Sequence, residues 1–267
     1  MKEKICLVGG EDVHKRISLS LQLIKSGFEV PMIGTSSHEF PEPIKYYNYN
    51  LVRSLSPISD YKTMKWLQDF FDKNAFSIIH TFDTKPAFLV PLAIKNTATP
   101  ITRTITGLGT IFMSKTYTNK VLRGVYKMLH HKAKSRVFKT VFQNLDDKKL
   151  YLSNNLVSED SSDLIYSSGI DLKEFKEQAK RNNRIFTFIC VARLVYEKGI
   201  INLLEAARIC SEKGYEFRFL LVGPLEENSN NLNQDILDSY KDVVDISTTQ
   251  FTYHLTVNSI PIIILPV

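Results

Sequence analysis

Between Ile185 and Cys210 the chain passes directly from an apolar run into a helix-like run, and this junction limits the folds open to it. Ile185 to Val191 reads as a strand and Lys198 to Cys210 as a helix. The joining stretch CVARLVYEKGIINLL, Cys190 to Leu204, sets Arg193 and Lys198 five residues apart with Gly199 after the lysine. A strand, a short turn and a helix that opens with free backbone N–H groups make a place for phosphate. Arg193 leaves the strand end as a forked donor, and Lys198 adds a point charge at the helix mouth. No GxxxxGK[ST] occurs, so the arrangement is not a P-loop. A solvated Arg and Lys flanking an ordinary β–α turn is the competing reading.

The same alternation runs through the rest of the chain. Ile5 to Val8 is a short strand ending in Gly9-Gly10, followed by a helical face of Ile17, Leu21 and Ile24 with Gly27 as its C-cap. The opening is Rossmann-like without the GxGxxG fingerprint. The two glycines serve either close approach of a ligand or a tight turn needing φ > 0. Strands are expected at 28–33, 44–51, 76–82, 100–106, 136–144 and 164–167, with helices at 61–71, 87–95 and 146–152 between them. His80 and Asp83 fall at the C-terminal end of the fourth strand, where open α/β sheets place ligands, and Lys85 follows. In the second half, strands at 184–193, 216–223, 243–246 and 260–265 alternate with helices at 198–212 and 232–240, and a short helix is expected at 252–258. A strand order of 3-2-1-4 is open to them.

Charge is uneven along this pattern. Residues 1–165 hold 23 Lys and Arg against 15 Asp and Glu, a balance of +8; the remainder holds 11 against 13, or −2, which together give the overall +6. Lys115 to Lys139 concentrates the excess, with eight Lys and Arg, two His and no acid. Tyr117, Val121, Val125, Leu129 and Ala133 recur in it at helical spacing. A basic amphipathic helix of this kind fits an anionic membrane surface. Nucleic acid is not expected, because aromatic interleaving and recognition motifs are missing. A solvated basic face on a core helix is the plain alternative. Cys6, Cys190 and Cys210 form no CxxC pair and read as reduced thiols of a cytosolic protein. No apolar window is long enough to span a bilayer.

The run VARLVYEKGI, then LLEAA, then FLLVGP, resembles the nucleotide-sugar half of GT-B glycosyltransferases. The resemblance is to the retaining family 4 (group 1) type of bacterial surface-polysaccharide synthesis. TRTITGLGTIF (Thr102 to Phe112) and SSGIDLKEF (Ser167 to Phe175) extend it over nearly the whole chain. It implies an α/β fold of two Rossmann-like doubly wound domains: 1–168 on the acceptor side, a linker at 169–183, and a partial nucleotide-sugar domain at 184–267. Arg193, Lys198, Gly9 and Gly10 would bind the donor diphosphate. Thr106, Gly107, Gly169 and Gly223 would line the cleft, and His80, Asp83 and Lys85 are the catalytic candidates. The HTxxxKP pattern of the family is matched by His80, Thr81, Lys85 and Pro86. Many relatives carry a His-Thr or His-Ser pair where this chain has Thr106-Gly107, which departs from a His-assisted mechanism at that strand.

The resemblance further implies a nucleoside-diphosphate sugar donor, UDP-linked, with no cofactor and no metal. The acceptor would be a lipid-linked saccharide at the inner face of the cell membrane. The family continues with an E-x7-E pair, whereas this sequence ends at Leu265-Pro266-Val267, so a C-terminally truncated chain with impaired transfer is expected. Alternatives are an inactive remnant, a non-catalytic membrane-docked partner of another transferase, or a nucleotide-sugar epimerase.

Overall fold

The computed structural model describes residues 2–52, 54, 56–94, 98–108, 112, 117–167, 169, 185–226, 232–248 and 262–264. The chain divides into two compact units, Met1–Asp171 and Leu172–Val267.

In the first unit Ile5–Val8 forms β1, four successive apolar residues all buried. Strands covered on both faces need no polar alternation, and β1 divides its side chains between two cores. Cys6 and Val8 join Leu67, Phe71 and Phe88 on one side, while Ile5 and Leu7 join Val13, Met32 and Phe82 on the other. Around β1 lie β2 (Met32–Gly34), β3 (Tyr46–Asn48), β4 (Ile78–Phe82), β5 (Ile101–Ile105), β6 (Lys139–Phe142) and β7 (Ser162–Leu164). All pair in parallel, in the order β3-β2-β1-β4-β5-β6-β7. The helices are α1 (Ile17–Lys25), α2 (Pro57–Lys73), α3 (Pro86–Ala93), α4 (Tyr117–Lys134) and α5 (Leu145–Ser153).

Several boundaries differ from the sequence-based expectation, and three of them have a plain local reason. β2 starts at Met32 instead of residue 28 because Pro31 has no N–H to give, leaving only an isolated bridge between Lys4 and Glu29 before it. β3 is shorter because the Ile44 N–H is taken by the Pro41 carbonyl in a turn. β7 ends at Leu164, and Ser167, at φ 65°, cannot extend a strand.

Sequence reading also missed a buried cation. Arg103 of β5 is 1% exposed, although its neighbours in ITRTI suggested a half-polar strand. Its guanidinium donates to the Thr140 hydroxyl (3.0 Å), the carbonyls of Ala87 (3.4 Å) and Leu156 (3.2 Å), and Nδ1 of His130 (3.0 Å). Arginine can only donate, so His130 accepts at Nδ1 and carries its hydrogen on Nε2. The Tyr151 hydroxyl also reaches Nδ1 (3.3 Å), and the hydroxyls of Tyr126 and Tyr151 hydrogen-bond each other.

The second unit is a four-stranded parallel sheet in the order β10-β9-β8-β11, the 3-2-1-4 arrangement. Its strands are β8 (Phe186–Val191), β9 (Phe217–Val222), β10 (Asp245–Ser247) and β11 (Ile262–Ile264); its helices are α6 (Ile200–Glu212) and α7 (Gln234–Asp238). Leu204 and Ala207 of α6 and Leu237 of α7 close over Cys190, Phe219 and Leu221. The helix expected at 252–258 lies outside the described residues.

The Arg103 network generates a pH dependence. Burial, and then the charge of Arg103, hold the His130 pKa well below 6.5. A base whose folded pKa is depressed stabilises the fold above its unfolded pKa, and that contribution is lost as pH falls through and below 6.5. Each such histidine adds a slope of up to about 1.4 kcal/mol per pH unit. Urea unfolding at pH 7.5 and 5.5 should therefore show lower stability at 5.5. His130→Asn, which keeps an acceptor near Nδ1 but cannot be protonated, should lessen that difference.

Candidate functional site

The loop after β1 is shaped by Val13. A Cβ added to Gly34 would lie 2.2 Å from Val13 Cγ1, and one on Gly9 would lie 2.9 Å from Val13 Cβ. Neither Gly9 nor Gly10 has positive φ, which corrects the tight-turn reading: Gly9 makes room for Val13, while a Cβ on Gly10 would come no closer than 3.5 Å to Asp83. Val13 is 1% exposed, and the short 3-10 turn Glu11–Arg16 carries it into the core.

Gly10 then meets the end of β4. Asp83 Oδ2 accepts the Gly10 N–H (3.0 Å), and Oδ1 accepts from the Thr106 hydroxyl (3.4 Å). Asp83 itself sits at φ 68°, a left-handed conformation that costs a non-glycine residue about 1 kcal/mol or more. One carboxylate thus joins the C-terminal ends of β1, β4 and β5, three of the residues singled out from sequence. Behind it, Tyr49 donates its hydroxyl to the Gly9 carbonyl (2.9 Å). Burial, with the negative charge of Asp83 adding to it, pushes the Tyr49 hydroxyl well above its ordinary pKa, so it stays protonated.

Arg16 was not singled out from sequence. Its guanidinium lies 4.7 Å from the centre of the Phe82 ring, and its pKa is lowered by burial while Asp83 opposes that shift. A lone arginine between a Gly-Gly turn and the first apolar residue of a helix was the available signal.

Two of the catalytic candidates are constrained by their surroundings. His80 stacks on Phe82 (4.3 Å between ring centres), and its Nε2 is 2.8 Å from the Thr104 hydroxyl. Burial, then the positive charge of Arg16, lower its pKa to about 4, so it is neutral at pH 7 and holds β4 to β5. Lys85 is 8% exposed. Its ammonium donates to the carbonyls of Val52 (2.7 Å) and Ser54 (2.7 Å) and to Asp60 (2.5 Å), which takes up all three hydrogens. The geometry thus makes Lys85, just before α3, a tie between Val52, Ser54 and the first turn of α2. Gly107, at φ 153°, accepts at its carbonyl from the Thr84 hydroxyl (3.4 Å). Gly169, at φ 76°, has only open space around its Cβ position.

In the second unit the turn after β8 is anchored by Leu194, fully buried, whose N–H donates to the Pro224 carbonyl (2.8 Å). With Leu194 turned inward, Arg193 faces out, its side chain 46% exposed and 2.5 Å from Glu226. An exposed pair of this kind contributes at most about 1 kcal/mol and can yield to another anion. Lys198 ends a 3-10 turn, Tyr196–Lys198, and Gly199 at φ 65° starts α6. The charge of Lys198 opposes the rise that burial causes in the Cys190 thiol pKa. Gly223, at φ 151°, follows β9 and donates its N–H to the Ser247 carbonyl (2.9 Å). Gly9 and Gly10 belong to the first unit, Arg193 and Lys198 to the second. Among the described residues no cluster of three or more His, Cys, Asp or Glu could hold a metal ion.

No family model matches the chain. A UDP-Gal:alpha-D-GlcNAc-diphosphoundecaprenol alpha-1,3-galactosyltransferase of Escherichia coli is 27% identical over 188 residues, covering 65% of this chain and 47% of that protein. The chain thus spans about half the length of this curated relative. Among solved structures, a glycosyltransferase from Rickettsia africae superposes with a TM-score of 0.64 at 18% identity, covering 92% of this chain and 68% of that one. A UDP-N-acetylglucosamine 2-epimerase gives 0.55 at 16% identity, with 92% and 68% covered. These likenesses establish the fold: α/β, with a parallel seven-stranded sheet, similar to GT-B glycosyltransferases.

The Asp83 junction separates backbone strain from charge. Asp83→Asn should keep thermal stability within about 1 kcal/mol, since asparagine also accepts these hydrogen bonds and tolerates the left-handed conformation. Asp83→Ala should cost about 1–3 kcal/mol by leaving the Gly10 N–H unpaired in the same strained backbone. Equal losses in both variants by denaturant titration would show that the carboxylate charge, not the hydrogen bonds, secures the loop.

Proposed function

We propose that the chain is part of a retaining GT-B glycosyltransferase of the family 4 type. It would move a sugar from a UDP-linked donor to a lipid-linked saccharide in surface-polysaccharide synthesis at the cytoplasmic face of the membrane. The observation that carries this reading is the likeness in sequence to a galactosyltransferase whose printed acceptor is a diphosphoundecaprenol-linked sugar. The fold alone leaves the epimerase reading open, because an epimerase shares it. Epimerase chemistry on the sugar would call for acid–base groups, and the buried, neutral His80 and the fully engaged Lys85 are poorly suited to that.

In this reading the second unit holds the donor. Arg193 and Lys198 stabilise negative charge as the nucleoside diphosphate leaves, by positioned donors. Glu226 occupies Arg193 until the diphosphate displaces it. In the first unit Asp83 positions the loop of Gly9 and Gly10, with Thr106 and Gly107 beside it, and Arg16 supplies the neighbouring positive charge. Asp83 is the group of this unit best placed to meet an acceptor hydroxyl.

Isothermal titration with UDP tests the donor assignment. Arg193→Ala should weaken binding by about ten- to a hundredfold, the worth of a charge-assisted hydrogen bond. Glu226→Gln should strengthen it by releasing the guanidinium. Unchanged affinity in Arg193→Ala would end the assignment of the diphosphate to this turn.

We further infer that α4 lies against an anionic membrane. Tyr117 (80% exposed), Val121 (51%) and Met128 (48%) form a stripe along it, with Lys120, Arg123, Lys127 and Lys132 on the same helix. Lys115 lies outside the described residues, and Lys134 and Lys139 are bonded to Asn155 and Asp163. No helix among the described residues is long and apolar enough to cross a membrane. Sedimentation with vesicles should need anionic lipid and fade as salt rises. Lys120→Gln/Lys132→Gln should cost roughly 1 kcal/mol per charge removed; equal binding to neutral vesicles would remove the electrostatic part.

A further inference from the structure

Beside the Asp83 junction, at the C-terminal edge of β2 and β3 and against the first turns of α2, the first unit holds a cavity of about 660 Å³. The side chains of Asn48, Asn50 and Ser59 line it without a hydrogen-bond partner among the described residues, and so does the ammonium of Lys62. Ile58, 75% exposed, supplies an apolar patch among them. Among the described residues no carboxylate lines the cavity. The aromatic residue among them, Tyr49, is buried with its hydroxyl already given to Gly9, so it offers no ring for stacking a base.

This set of groups selects for a chemistry. A carboxamide both donates and accepts, as a sugar hydroxyl does, and two of them line the cavity. An apolar side chain next to them suits the C–H face of a pyranose, since binding sites combine apolar area with a few placed polar groups. The ammonium of Lys62 favours a ligand that also carries negative charge, which it meets as a point charge.

The wall is held in place before any ligand arrives. Lys85 fastens the carbonyls of Val52 and Ser54 to Asp60 of α2, and the Thr63 hydroxyl bonds the carbonyls of Asn50 and Ser59. A buried lysine that uses all its hydrogens on two loop carbonyls and one acid rigidifies the loop carrying Asn50. Such preorganisation lowers the ordering cost of binding.

We propose that this cavity binds a phosphorylated saccharide, with Asn48 and Asn50 on the sugar hydroxyls and Lys62 on the phosphate. Its use as the acceptor subsite rests on the transferase reading above; the binding itself does not. The test is saturation-transfer NMR on the full chain without any donor, using N-acetylglucosamine 1-phosphate, N-acetylglucosamine and inorganic phosphate as probes. Both sugars should receive saturation, and competition should place the 1-phosphate about tenfold tighter. Asn48→Ala/Asn50→Ala should abolish both signals. Lys62→Gln should bring the 1-phosphate to the affinity of the neutral sugar and leave the latter unchanged. All of these side chains are at the surface, and an unchanged amide spectrum outside the pocket confirms that each variant is folded.

Absence of sugar binding in the parent chain, or binding that survives the asparagine changes, would overturn the proposal. So would inorganic phosphate displacing the 1-phosphate at equal concentration. Absence of UDP binding in the parent chain, with sugar binding intact, would refute the transferase reading and leave this site standing.

Discussion

The buried charge of Arg103 is the constraint on which the first unit turns. A guanidinium at 1% exposure keeps its charge in a low-dielectric interior only if its hydrogens are spoken for, and here no carboxylate among the described residues does so. Four neutral acceptors take four of its five hydrogens instead, from β6, α3, α4 and the segment after α5. Satisfying one side chain therefore requires four separate pieces of chain to reach the same point. β5 is thereby seated, and β5 carries Thr104, which meets His80, and leads into Thr106, which meets Asp83. The candidate site thus depends on a charge buried at the middle of the strand that supports it.

Above that foundation, the loop ends are organised by a second charge placed where water reaches it. Asp83 takes a strained backbone conformation and offsets it with hydrogen bonds from two neighbouring elements. Strain of this sort survives only where surrounding structure over-determines it, and the ends of parallel strands are where α/β sheets meet their ligands. Arg16 and His80 share the Phe82 ring nearby but in different charge states. Arg16 remains cationic despite burial, while His80 is neutral, in part because Arg16 is close. One face of the site therefore sets a carboxyl group near a guanidinium, beside a histidine that stays neutral at pH 7.

Sequence reading reached the order and type of most elements, because a doubly covered parallel strand writes itself as a short apolar run and the helices as 3.6-residue periodicity. The exceptions share one cause: they depend on partners far along the chain. Arg103 resembled the polar position of a half-exposed strand, and its four acceptors lie 16 to 53 residues away. Gly9 was legible as special, but the reason, Val13 pressing against both Gly9 and Gly34, needs three segments in contact. His80 and Asp83 were found by their place at a strand end, yet spacing cannot separate a neutral stacked imidazole from a proton donor. In the second unit the Arg193–Lys198 turn was read from its local pattern, but Glu226, 33 residues on, was invisible as the group that occupies the arginine.

Lys85 shows how surroundings change the chemistry expected of a residue. Its position two residues after Asp83, in the HTxxxKP pattern of the family that the sequence resembles, makes it a catalytic candidate. Its surroundings argue otherwise. An ammonium that already has three protein acceptors, one of them an acid 14% exposed, would have to break a largely buried ion pair to meet a ligand. Breaking such a pair costs about 3–5 kcal/mol, more than one exposed phosphate contact returns. The same three bonds have a different value if they hold a wall. They fix the loop that carries Asn50 and leave Lys62, two residues after Asp60 on α2, as a cation lining the cavity. A buried lysine that orders a surface and an exposed one that meets the ligand are a division of labour that residue type alone cannot reveal.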